Sequence, residues 1–181
     1  MPRVPAIANK SDVPAAHHDV VDHVLKVFGN IRGPFSMLLH SPKLAEKLLS
    51  LGDFYRDDSI VASKDRSLAI LVGVRERKAA YVWAAQVNAA RRAGVREEAI
   101  DVIRKKGDAG KLPAEEREII AYAEQLFTKN RVDQPVFDAL LKRHGAQWLI
   151  ELTANANYYG ILCGIVNAFE VPAPADGDKL P

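Results

Sequence analysis

The sequence predicts an all-α protein built as one helical domain. Three observations carry this. Apolar residues recur at three- and four-residue spacings through nearly the whole chain. No alternation of strand type runs longer than four residues. Helix start and stop residues also punctuate the apolar segments at the right places.

The elements follow in order. Residues 1–14 hold three prolines and no periodicity, and are expected to form an extended arm. Val20, Val21, Val24, Leu25 and Phe28 mark a first helix, stopped at Gly29. Pro34 starts a short helix through Leu39. Ser41-Pro42 reads as an N-cap followed by proline at the first helical position. The helix it opens carries Leu44, Leu48, Leu51 and Tyr55 on one face. Ser63 is expected to cap the next helix, whose stripe is Ser67, Ile70, Leu71 and Val74. A charged turn at 75–78 leads to a helix over 78–93, with Ala79, Val82, Trp83, Gln86, Ala90 and Ala93 on one face. Gly94 is expected to end it in the left-handed conformation. These two helices are predicted to form a central antiparallel pair, because short connections favour antiparallel neighbours.

Further helices are expected over 96–105, from Pro113 through Phe127, over 133–143 and over 146–169. Glu115 and Glu116 fall in the first turn of the second of these, where the helix dipole favours them. In the last helix, Trp148, Leu152, Asn155, Tyr159, Leu162, Val166 and Phe169 alternate spacings of four and three, a heptad-like seam with Asn155 inside it. Core packing, a subunit interface or a pocket wall would each use such a seam. Residues 15–171 make the domain, and 172–181 read as a disordered or docked tail.

Composition limits the function classes. The 181 residues are 48% hydrophobic and 27% charged, with a net charge of +2. Basic residues are interleaved with acidic ones, and no basic stripe alternates with aromatics, so no nucleic-acid partner is expected. No apolar run approaches the roughly 20 residues that span a bilayer, and the N-terminus lacks a signal-peptide core, so no membrane partner is expected. The single Cys163 permits no intrachain disulfide, which points to a cytoplasmic location. It is expected to be a packed structural thiol. His18 and Asp22 share a helix face, but two ligands are too few for a metal site. His40 and His144, next to loops, are expected to be solvated. Neither a metal nor a cofactor is expected.

Two polar residues interrupt the apolar stripes of the central pair: Ser67 and Gln86. A polar group there must find a partner, because leaving it buried and unpaired costs about 1–3 kcal/mol. The pair could bond to each other in the core or face a site. Arg66, beside Ser67, is the best anion anchor in the region, and an exposed arginine beside Asp65 is the alternative. Tyr81 and Trp83 could be core and rim aromatics or stack on a ligand.

The stretch from Ser63 to Gly94 resembles the carboxymuconolactone decarboxylase family, which includes the AhpD-like alkylhydroperoxidases. The residues behind this are the run Leu68–Val74, Tyr81 and Trp83, and Ala90 with Gly94-Val95 ahead of Glu97-Glu98. Flanking matches are Gly33-Pro34-Phe35, His40-Ser41-Pro42, Tyr158-Tyr159 and Asn167-Ala168-Phe169. The resemblance implies an AhpD-like bundle, a homo-oligomer and a pocket between the paired helices. It places Ser67 at the family's glutamate, Ala79 and Val82 at its two cysteines, and Gln86 at its histidine. The groups needed for thiol peroxidase chemistry are therefore absent. Arg66-Ser67 is similar to the decarboxylase branch, which lacks the cysteines but keeps the histidine. Glutamine can orient a substrate or a water but does not titrate.

The resemblance thus implies a lyase acting on a small carboxylated metabolite. Ser67 and Gln86 would be its catalytic residues, and Arg66, Tyr81, Trp83, Ala79 and Val82 would bind substrate. A catalytically silent small-molecule binder and a structural family member are the alternatives.

Overall fold

The computed structural model describes residues 2–181. Eight α-helices follow one another: α1 His18–Phe28, α2 Pro34–Leu38, α3 Pro42–Asp57, α4 Ser63–Glu76, α5 Ala80–Arg92, α6 Glu97–Lys105, α7 Ala114–Lys129 and α8 Gln134–Ala168. Among the described residues there is no strand. No helix among them is long and apolar enough to cross a membrane.

Local chemistry sets the ends. Gly29 follows α1 at φ 75°, and its amide donates to the Leu25 carbonyl at 2.8 Å. Such a positive φ is where glycine costs least. Pro34 and Pro42 open α2 and α3 from their first turns, where a missing N–H is no loss. Ser41 stands at the cap of α3, but its side chain makes no capping bond. Ala62, rather than Ser63, caps α4, and Ser63 is already helical. Likewise α5 begins at Ala80, two residues later than the periodicity suggests, because Lys78 takes a left-handed φ of 51° in the turn. Gly94 has the expected left-handed backbone, at φ 85°. The two expected helices over 133–169 run on as one, broken at Gly145 by a non-helical φ of 84° and ψ of 169°.

The α4–α5 hairpin is present, but α4 is the true centre. It packs against α5, α6, α7 and α8. Every residue from Ser67 to Arg75 is buried. The single stripe read from its sequence is therefore too narrow, because four helices surround it rather than one.

The core has two parts. The larger joins α4, α5, α6, α7 and α8, with Leu68, Leu71, Trp83, Ile100 and Leu152 fully enclosed. The smaller joins α1, α2 and α3, with Tyr158 and Leu162 of α8 closing it. The terminal segments are packed on these. Ile7 and Val13 of the arm are buried in the smaller part, and the Ile7 amide donates to the Ser36 carbonyl at 3.0 Å. At the other end, Asp178 meets Arg91 at 2.5 Å and Arg104 at 2.9 Å, while Leu180 packs on the larger part.

Candidate functional site

A cavity of about 640 Å³ opens on the seam between the two core parts. That size is in the range of small-molecule sites. Its far wall comes from α1 to α3 and the loop before α2, with Phe28, Arg32, Phe35 and Tyr55. Its near wall comes from α4, α5 and α8, with Arg66, Ser67, Tyr81, Gln86, Asn155 and Tyr159. α8 serves both core parts from different faces, with Leu152, Ala156 and Cys163 in the larger and Tyr158 and Leu162 in the smaller, so the two parts meet along it.

Of the residues singled out in the sequence, Arg66, Ser67, Tyr81, Val82 and Gln86 come together on this cavity. Ala79 and Trp83 do not. Both are fully buried in the larger core, and neither lines the cavity. Trp83 faces the interior, with the Arg104 guanidinium 5.8 Å from its ring. A ligand in the cavity cannot stack on it.

Ser67 and Gln86 do not pair. The Ser67 hydroxyl donates to the Ser63 carbonyl one turn back, at 2.8 Å. Gln86 instead lies beside the Tyr159 hydroxyl. Burial pushes the Tyr159 phenol up, opposed by Gln86 and by the Arg66 charge. Tyr159 is therefore a neutral hydrogen-bonding group throughout the physiological range. Tyr158, next to it, donates to the Leu48 carbonyl at 3.1 Å, and burial pushes its phenol up as well. Tyr158 ties α8 to α3 at the floor of the cavity.

Arg66 is half-buried and has no carboxylate within ion-pair distance among the described residues. Arg66 is thus not the exposed arginine that was the alternative, and it does not pair with Asp65. The Arg66 guanidinium donates to the Val61 carbonyl instead. Burial lowers its affinity for the proton, with Tyr159 and Glu151 opposing. Glu151 is already engaged by Ser59 at 2.7 Å, the Ile60 amide at 2.9 Å and Gln147 at 2.9 Å. Burial pushes its carboxyl up, but these bonds together with Arg66 hold it below its ordinary range. Glu151 thus pins the loop ahead of α4, and the loop in turn positions Arg66.

Tyr81 is half-buried at the edge of the cavity. Its ring lies over Gly33, where any β-carbon would overlap it. Gly33 also has φ 62°, so two constraints require glycine there. Burial pushes the Tyr81 phenol up, and the Arg32 charge opposes this.

Asn155 lines the cavity without having been singled out as a site residue. It is 2% exposed, and its Oδ1 has no hydrogen-bond partner. One signal could have found it: it is the polar interruption in the apolar seam of the last helix, as Ser67 and Gln86 are in theirs.

Cys163 is fully buried and does not line the cavity. Burial pushes its thiol up to about 12. His18 is held by the Val13 carbonyl at 2.9 Å and Asp22 by Lys10 at 2.6 Å, so the two face different partners. His40 contacts the Pro5 carbonyl at 2.9 Å, and His144 stacks on Trp148 with ring centroids 3.9 Å apart. Both have protein partners rather than water alone. No group of three or more metal-binding side chains occurs among the described residues.

The structure resembles the alkylhydroperoxidase AhpD core of an uncharacterized peroxidase-related protein from Ralstonia eutropha JMP134, with a TM-score of 0.77 at 15% identity, covering 97% of this chain and 93% of that one. It also resembles the debrominase Bmp8. A cysteine-to-alanine variant of Bmp8 in complex with 2,3,4-tribromopyrrole gives a TM-score of 0.74 at 17% identity, covering 97% of this chain and 95% of that one. The apo form gives 0.72 at 18% identity, covering 93% and 92%. No family model and no curated protein matches the sequence. The chain has the AhpD-like fold.

Proposed function

We propose that this protein is a divergent member of the carboxymuconolactone decarboxylase and AhpD-like family that binds a small carboxylate in the cavity between its two core parts. One observation carries the reading: a half-buried arginine without a carboxylate partner stands on the wall of a roomy cavity. A buried guanidinium is costly unless paired, and it fits a carboxylate through two parallel N–H donors. The aromatic side chains around it suit a flat, unsaturated ligand. The debrominase neighbour, held with a small aromatic ring, supports that shape.

Lyase chemistry is the second layer of the proposal. In a decarboxylation the C–C bond breaks, carbon dioxide leaves, and the electron pair passes into the remaining conjugated system. Water then supplies a proton. Gln86 and the neutral Tyr159 would stabilise the charge that develops. Arg66 would have to hold a carboxylate that stays, because a contact to the departing group stabilises the ground state more than the transition state. The alternative is a silent binder, favoured by the lack of a group on this wall that titrates near neutral pH.

Calorimetry with benzoate and with a lactone carboxylate tests the reading. Both should bind the wild type, and Arg66→Gln should weaken binding at least tenfold while leaving the fold intact by circular dichroism. Equal affinity in the variant would sink the carboxylate site. Release of carbon dioxide from the lactone acid separates lyase from binder.

A further inference from the structure

We propose that Arg32 and Arg92 form an anion-selecting entrance to this cavity: their charges draw a small carboxylate in and raise its rate of entry, while Arg66 holds it. The inference rests on the carboxylate reading of the same site and adds a kinetic selection step ahead of it.

Four arginines line the cavity, Arg32, Arg56, Arg66 and Arg92, against one carboxylate, Asp53. Arg56 is taken up by Asp53 at 2.6 Å and Asp57 at 3.0 Å, and His23 also meets Asp53, at 2.9 Å. Arg32, Arg66 and Arg92 have no carboxylate within ion-pair distance among the described residues. Three unpaired charges thus gather on one cavity, in a chain whose net charge is +2. Acids are not scarce nearby. Arg91, one residue before Arg92 on α5, meets Glu97 at 2.6 Å, and Arg104 meets Asp178 at 2.9 Å. Neither Arg91 nor Arg104 lines the cavity, so the pairing stops at the residue that does.

The three arginines stand at different depths. Arg66 is half-buried, and its charge acts on the Tyr159 phenol. Arg32 and Arg92 are exposed. Arg32 lies in the loop before α2, close enough to Tyr81 at the cavity edge for its charge to act on that phenol. Arg92 is the last residue of α5. It follows Gln86 by about 9 Å along the helix axis. The α5 wall presents only the small Ala85 and Ala89 in that interval besides Asn88, with Ala85 exposed and Ala89 half-buried, which keeps the opening clear. A benzoate-sized ligand with its one charge on Arg66 brings no second charge to the rim, so the rim arginines act at a distance. A cleft lined by one sign of charge between low-dielectric walls focuses the field, concentrates counter-ions at its mouth and raises their association rate in a salt-dependent way.

Rates on the full chain separate entry from holding. The probe is 4-fluorobenzoate, with association and dissociation read from fluorine NMR line shapes. At about 10 mM salt, Arg32→Gln combined with Arg92→Gln should lower the association rate about fourfold and leave dissociation within about twofold. At about 0.5 M salt, variant and wild type should associate alike. Arg32→Lys combined with Arg92→Lys should keep the wild-type rates, because steering needs the charge and not the guanidinium fork. Arg131→Gln combined with Lys142→Gln removes two exposed cations that do not line the cavity, and should change neither rate. Faster dissociation in the double glutamine variant, or a loss that lysine does not restore, would overturn the proposal by making the two arginines ligand contacts. An equal loss in the Arg131 and Lys142 variant would overturn it by assigning the effect to net charge. A second readout needs no bound ligand. At low salt an anionic nitroxide should relax the Ala85 and Ala89 methyl protons more than a cationic one of equal size, and the double glutamine variant should shrink that difference. Equal relaxation by both probes in wild type also refutes the entrance. Failure of the carboxylate reading shows itself differently: 4-fluorobenzoate would not bind, or Arg66→Gln would not matter, while the nitroxide preference would persist.

Discussion

The Ser67 hydroxyl donates to the Ser63 carbonyl at 2.8 Å, which removes Ser67 as a partner for Gln86 across the central hairpin. Ser67 is thus answered within its own helix, while Gln86 lies beside Tyr159 of α8. A serine that donates to a carbonyl one turn back adds little to a helix, and its proton is no longer available to another acceptor.

Gln86→Leu should therefore leave no orphaned serine. Its stability cost should stay within about 1 kcal/mol, the size of one ordinary hydrogen bond. Carboxylate affinity or turnover should fall about tenfold if Gln86 contacts ligand. Ser67→Ala should change affinity less than threefold. Denaturant melts and calorimetry on both variants check this; a large stability loss in Gln86→Leu with unchanged binding would return Gln86 to the core.

The tail contact should be pH-dependent in a defined direction. Hydrogen bonding from Arg91, with further help from Arg104, holds the Asp178 carboxyl below its ordinary 3.8. A depressed folded-state pKa contributes stability above the unfolded value and loses it as pH falls through the folded one. Asp178→Asn should thus destabilise at neutral pH, by about 0.5–1 kcal/mol once solvent screening is allowed for. The difference from wild type should vanish well below pH 4. Thermal melts at pH 3 and pH 7 decide it, and a constant difference would mean the charge is irrelevant.

Cys163 should be inert in the native protein. With its thiol pushed up to about 12, only about one molecule in ten thousand carries a thiolate at pH 8. An aromatic disulfide reagent should react over hours with native protein and at once in denaturant. Fast labelling of the native chain, or rapid dithiol-driven peroxide turnover lost in Cys163→Ser, would contradict this.

A homo-oligomer using the outer face of α8 is expected. Ile150 and Ile161 are 66% and 47% exposed and lie three turns apart on that helix. Light scattering at micromolar concentration should give a multiple of 19.9 kDa. Replacing both isoleucines by lysine should lower it. A monomer mass for wild type refutes the expectation.

Much of the fold was legible locally. Gly29 and Gly94 end helices where only a left-handed residue fits, and Pro34 and Pro42 start them where an N–H is not needed. The α4–α5 hairpin could be read from two periodic segments and a short turn. The candidate site was legible only in part. Arg66, Ser67, Tyr81, Val82 and Gln86 do share a cavity, because polar residues in apolar stripes mark places where packing is interrupted. Ala79 and Trp83 share the stripe of Gln86 yet face a filled core. A helix face is about 100° wide, and periodicity cannot tell which edge of it meets a void.

The sequence by itself determined where the helices lie, the glycine ends at Gly29 and Gly94, and the absence of a second cysteine or of a histidine at position 86. These are properties of single residues and of spacings within one helix, set by backbone sterics and side-chain chemistry. Only the tertiary structure decided that α4 is enclosed by four helices, that Arg66 has no carboxylate within ion-pair distance, and that Asn155 is on the cavity wall. Each of those depends on which groups from distant segments arrive at one point, and α8 brings them there by packing against two cores at once.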